Sequence, residues 1–135
     1  TMSVFTSWLG FNTTTAIPRF AGEDFPTRLA ERLERARTSV GLAHRVVVRI
    51  SAGTDFGGGS VRAGQLAGEV ELLVAAGLEP WEALGAATWR GGELLGRPEA
   101  GALQDGGPAD FFLVHGDPLS DPASLWRVWR VAWAS

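Results

Sequence analysis

Val46-Val47-Val48-Arg49-Ile50 is an almost unbroken run of β-branched residues, and it limits the fold more than any other segment. A strand without polar alternation has to be covered on both faces, which is the pattern of a parallel sheet and not of a half-solvated hairpin. The run climbs into Ser51-Ala52-Gly53-Thr54-Asp55 and then Phe56-Gly57-Gly58-Gly59, so a carboxylate stands where the strand ends and a glycine-rich loop begins. In α/β architectures chemistry gathers at that end of the strands, because loops vary there while the sheet holds the side chain still. An aspartate so placed can ligate a metal, or take a proton from a metal-bound water. It can equally cap the next helix or close a turn.

The segments around this run alternate. Residues 2–9 read as a short apolar strand, and residues 10–20 as a loop holding Thr13-Thr14-Thr15. Asp24 is the expected N-cap of a helix with Pro26 in its first turn, and Leu29, Leu33, Ala36 and Val40 recur at helical spacing. Gly41 is the expected stop. After the glycine loop, Leu66, Val70, Leu73 and Val74 mark a second helix ended by Gly77. Pro80 opens a third, with Trp81, Leu84, Ala87 and Thr88 on the packed side. From Arg97 onward the pattern changes. Gly101-Ala102-Leu103 and residues 109–114 read as strands joined through Asp105-Gly106-Gly107. Asp121-Pro122 caps a single helical turn, and residues 126–133 close as a strand.

Composition narrows the function. With 45% hydrophobic and 20% charged residues in 135, the chain has the makeup of one soluble globular domain. A net charge of -3 gives no reason to expect nucleic acid, and the Trp residues read as packing groups more readily than as a stacking platform. The absence of Cys excludes a disulfide framework, a thiolate nucleophile and Cys-ligated zinc. No apolar run is long enough to span a bilayer and no signal pattern opens the chain, so a cytoplasmic setting is expected, with no membrane partner. Gly57-Gly58-Gly59 is not a phosphate loop, since neither the spacing nor the Lys follows.

Two strand–helix units cannot bury themselves. Parallel strands need neighbours on both sides, and apolar edges left open invite association. The chain is therefore expected to be part of something larger, and a lone monomer is not expected. Thr1 ahead of Met2, with a strand beginning at once, points the same way.

The arrangement Ile50-x-x-Gly53-Thr54-Asp55, then Glu69-x-x-Leu72-Leu73-Val74-x-Ala76-Gly77-Leu78-x-Pro80, Leu95-Gly96, Gly101-x-Leu103-x-x-Gly106-x-x-Ala109-Asp110 and Asp117-Pro118-Leu119 resembles the C-terminal part of the metal-dependent amidohydrolases. The imidazolonepropionase-like and prolidase-like branch is the nearest in pattern. The resemblance is dense from Ile50 to Pro122 and looser before Arg49. It implies an α/β fold, the C-terminal part of a (β/α)8 TIM barrel, with antiparallel strands of a small β-sandwich. Ser3–Leu9 would be the seventh barrel strand and Val46–Thr54 the eighth. Residues 1–97 would make the barrel segment and residues 98–135 the sandwich strands.

The implied activity is hydrolysis of an amide, a cyclic amide or a related C–N bond in a small molecule. Asp55 would be both catalytic residue and metal ligand, binding the ion and shuttling the proton of the attacking water. The implied cofactor is one or two divalent metal ions, zinc foremost. The family's remaining ligands, a His-x-His pair, a carboxylated Lys or Glu and two further His, have no counterpart here: the chain has no Lys, and His44 and His115 fall in a turn and at a strand end. The chain alone is thus expected to be inert and to need the remainder of the barrel, on the same or a separate polypeptide. Trp8, Asn12 and Thr13–Thr15 could line a substrate pocket or form a polar loop around one buried aromatic. Arg62 could pair with a substrate carboxylate or sit in a surface ion pair. Two other readings stay open: a non-catalytic binding or assembly module, and the smaller chain of a two-chain hydrolase.

Overall fold

The computed structural model describes residues 25–55 and 63–133. Its longest element is α1 (Phe25–Arg45), and the periodicity of Leu29, Leu33, Ala36 and Val40 explains it. Leu29 is buried, while Leu33, Ala36 and Val40 pack against the core. The outer face carries the pairs Glu31–Arg35 at 3.3 Å and Glu34–Arg37 at 3.4 Å, exposed contacts that add little. The expected cap Asp24 and the expected strand Ser3–Leu9 lie outside the described residues.

Gly41 does not stop α1, which runs a further turn to Arg45. A Cβ at position 41 would stand 2.7 Å from the carbonyl oxygen of Ala76, so the glycine is there for the close approach of α1 to the end of the next helix. Arg37 reinforces that contact, donating from Nη2 to the Ala75 carbonyl at 2.9 Å. This carbonyl is one of the last-turn acceptors a helix leaves unsatisfied.

That next helix is α2 (Leu66–Ala75), closed by Gly77 in the left-handed region at φ +107°. The third, α3 (Pro80–Ala86), opens on a capping box in which the Glu79 side chain accepts from the backbone N–H of Glu82. In return Glu79 donates its own N–H to Glu82 Oε2 at 3.1 Å. Its buried face is made of small residues, Ala83, Gly85 and Ala86; Trp81, expected on the packed side, is exposed. A short α4 (Trp89–Leu94) follows. The core gathers Val70, Leu73, Leu78, Ala83, Ala86 and Leu125, with Ile50 and Ala52 packed against it. A buried Leu or Val contributes roughly 2 kcal/mol, so α2 with Leu78 holds most of the cohesion.

The run expected as a parallel strand, Val46–Ile50 or Val46–Thr54, forms no ladder. Residues 46 and 47 make the turn that ends α1, and residues 48–55 carry no strand pairing. No strand among the described residues lies beside it to pair with: their sheet has two antiparallel strands, β1 (Phe111–Val114) and β2 (Val128–Ala132). A second correction concerns the hairpin. Residues 101–103 do not pair with β1, whose partner is β2, with Phe111 opposite Ala132 and Leu113 opposite Arg130. The turn at Asp105-Gly106-Gly107 is real, with Gly107 N donating to the Gln104 carbonyl at 3.0 Å, but it joins no ladder.

Between β1 and β2 lies a 3-10 helix, Pro122–Trp126, capped as expected by Asp121, which accepts from Ala123 N at 3.1 Å. Its buried Leu125 enters the core, and the Trp126 indole N–H donates to the Glu71 carboxylate of α2. These contacts fasten the C-terminal hairpin to the helices. No described helix is long and apolar enough to cross a membrane.

Candidate functional site

Residues 48–55 descend from the end of α1 along the end of α3. Ile50 and Ala52 turn toward the core, and Ser51 between them is half-buried. Ala52 N donates to the carbonyl of Ala86 at 2.8 Å, and Ser51 Oγ reaches the same oxygen at 3.4 Å. Asp55 follows three residues later. It is exposed, and its backbone is in the left-handed region at φ +48°. Asp and Asn visit that region more readily than other non-glycine residues, which suits an aspartate released from an anchored segment.

The other expected site residues do not join Asp55 in view. Trp8, Asn12 and Arg62 lie outside the described residues. His44, in the last turn of α1, places Nε2 3.4 Å from Glu82 Oε2, so it engages the capping box of α3. His115, just past β1, sits with its ring centroid 5.9 Å from that of Trp129. Beside residues 49–51 lies an open groove of about 290 Å³, lined also by Arg90, Glu93 and Leu94. A metal site needs several ligands converging on one point. Among the described residues no group of three or more His, Asp or Glu does so. The described residues alone therefore do not fit a metal.

The sequence reading missed the anchor. Ser51 stands in the segment that leads to Asp55, but its acceptor is a main-chain carbonyl at a helix end, which no side-chain pattern announces. The nearest signal was the Thr88 that follows, a residue type that competes with helical hydrogen bonding.

The model of the amidohydrolase family matches residues 25–132. Uncharacterized proteins of Mycobacterium tuberculosis and Mycobacterium bovis are 36% identical over 104 residues, covering 75% of this chain. The chain spans 27% of the length of these curated relatives. The crystal structure of a Xaa-Pro dipeptidase with methionine bound in its active site superposes with a TM-score of 0.78. That superposition covers 98% of this chain and 32% of the dipeptidase; at 23% identity it speaks for an α/β fold. With residues 25–132 matched by the family's model, this chain belongs to the amidohydrolase family.

Proposed function

We propose that this chain is the C-terminal portion of a hydrolase that cleaves an amide, a cyclic amide or a related C–N bond in a small molecule, and that Asp55 is its proton-accepting carboxylate. Asp55 takes a proton from the attacking water and returns it to the leaving nitrogen, a role that an exposed carboxylate at the end of an anchored segment can fill. The observation that carries this reading is Asp55 itself, held at φ +48° three residues beyond a buried hydrogen bond, in a chain matched to a hydrolase family.

The family is generally metal-dependent, and one or two divalent ions, zinc foremost, would polarise the water when bound. Their ligands would come chiefly from outside the described residues, from the rest of a (β/α)8 barrel whose last two strand–helix units fall within residues 1–97. Residues 98–135 then return to a small β-sandwich. In this reading the chain works only with the remainder of the barrel and is inert alone.

The test is Asp55→Asn in the full-length gene product, assayed against dipeptides and cyclic amides. Loss of a positioned proton acceptor is expected to lower kcat by about 10²–10⁴-fold. A variant that turns over every substrate at the wild-type rate removes Asp55 from the chemistry.

A further inference from the structure

We propose that Ser51 and the main-chain carbonyl of Ala86 together position Asp55, so that the break between α3 and α4 is part of the active site although no side chain there touches substrate. This rests on the catalytic reading of Asp55 and extends it to what holds that carboxylate still.

An accounting of carbonyls at the end of α3 leads to it. A helix leaves its last four carbonyls without intrahelical partners. Ala87 N donates to the carbonyls of Ala83 and Leu84, and Thr88 N donates to that of Gly85 at 3.2 Å. Thr88 Oγ1 adds a second bond to the Leu84 carbonyl at 2.8 Å. Three of the four are thus satisfied locally. The fourth belongs to Ala86, which is fully buried, and a buried carbonyl needs a donor. Its donors are Ala52 N and Ser51 Oγ, both from the segment that ends in Asp55.

The acceptor cannot drift. Thr88, at φ -128° and ψ -105°, breaks the helix, and α4 starts at Trp89. Gly101, at φ +77°, backs directly onto the break: a Cβ there would lie 2.5 Å from the Thr88 carbonyl carbon and 2.7 Å from its oxygen. Main chain packed on main chain leaves no slack. On the other side, Ile50 and Ala52 are seated against the core. The anchored pair 51–52 is therefore fixed in depth by packing and along the helix end by the Ala86 carbonyl. Only Gly53 and Thr54 separate it from Asp55. A proton acceptor displaced by about 1 Å can cost on the order of 10²-fold in rate, so this anchor has kinetic consequences.

The experiment uses the full-length enzyme with four changes: Asp55→Asn, Ser51→Ala, Ser51→Thr, and Ala52 replaced by lactic acid, which turns the donating amide into an ester. Ser51→Ala is expected to lower kcat about tenfold with KM nearly unchanged, because the acceptor is displaced while substrate binding is not touched. Ser51→Thr keeps the hydroxyl, has the open groove beside it to receive the methyl, and restores the rate. The ester at position 52 lowers kcat by about 10²-fold. If Asp55→Asn is inactive while Ser51→Ala and the ester match the wild type, the positioning role is wrong and the catalytic reading stands. If Asp55→Asn is active, the catalytic reading is what fails. A loss in Ser51→Ala that tracks a fall in melting temperature and is not rescued by Thr also overturns the proposal.

Discussion

Two helices in this chain end in the same hydrogen-bonded pattern on two very different residues. At the end of α2, Leu78 N donates to the Leu73 carbonyl at 3.2 Å and Gly77 N to that of Val74 at 2.9 Å. At the end of α1, Val48 N donates to the Ala43 carbonyl at 2.9 Å and Val47 N to that of His44 at 3.0 Å. Both are Schellman closures, and both need a left-handed residue just past the cap. Glycine meets that demand at position 77, whereas Val47 meets it at φ +60°. A left-handed conformation costs an L-residue roughly 1–2 kcal/mol, and a β-branched side chain is among the worst placed to adopt it. Val47 is also 87% exposed, so packing does not repay the strain. Val47→Gly is therefore expected to raise stability by about 1 kcal/mol after the extra chain entropy of glycine is counted, a rise of roughly 3–5 °C in Tm. Gly77→Ala is expected to lower it by a similar amount. Thermal melting of both variants checks the pair, and a Val47→Gly protein that melts lower than wild type would show that residue 47 is not left-handed in solution.

At the scale of elements, the link from β1 to the 3-10 helix is ordered by one aspartate. Asp117 Oδ2 accepts from Ser120 Oγ at 2.7 Å and Oδ1 accepts from Leu119 N at 2.9 Å. The Ser120 hydroxyl and then the Leu119 amide hold its carboxyl below the usual carboxylate range. Because the folded value is depressed, the turn's contribution is present above the ordinary carboxylate range and is lost as pH falls through the lowered value. Carbon-13 titration of the Asp117 carboxyl should give a midpoint below the ordinary value of about 3.9, and Ser120→Ala should raise it. Equal midpoints in the two proteins would dissociate the turn from the shift. The elements themselves were unevenly legible. Helical periodicity located α1, α2 and α3, and Pro80, Gly77 and Asp121-Pro122 marked boundaries correctly, because caps and stops are local chemistry. Gly41 misled because a glycine at a close contact looks the same in sequence as a glycine at a stop. The hairpin misled for another reason: a glycine-rich turn announces itself, but the partner of β1 lies beyond an inserted 3-10 helix, and strand period carries no information about partner. Asp55 could be picked out as a carboxylate at a loop start, while its anchor, a backbone carbonyl freed by a helix break, could not.

At the scale of the whole molecule, two of the six central core residues among the described residues are alanines. Leu94, Leu95, Leu103 and Trp133 are each at least 70% exposed. Both outer edges of the β1–β2 pair are open among the described residues, and a two-stranded sheet is marginal by itself in water. Stability should then be distributed very unequally: α2, which supplies Val70 and Leu73, belongs to the last part to open, and the hairpin to the first. In the isolated 135-residue chain, amide exchange in Phe111–Val114 and Val128–Ala132 is expected to run about 10²-fold faster than in Leu66–Ala75. In the complete polypeptide, where further strands are proposed to cover those edges, the difference should shrink and β1 and β2 should become protected. The comparison separates two sources of order. Equal protection in the isolated chain would mean that Leu125 and the Trp126–Glu71 bond suffice to hold the sheet, and that the open edges do not await the rest of the protein. Fast exchange that persists in the complete polypeptide would mean that nothing covers them.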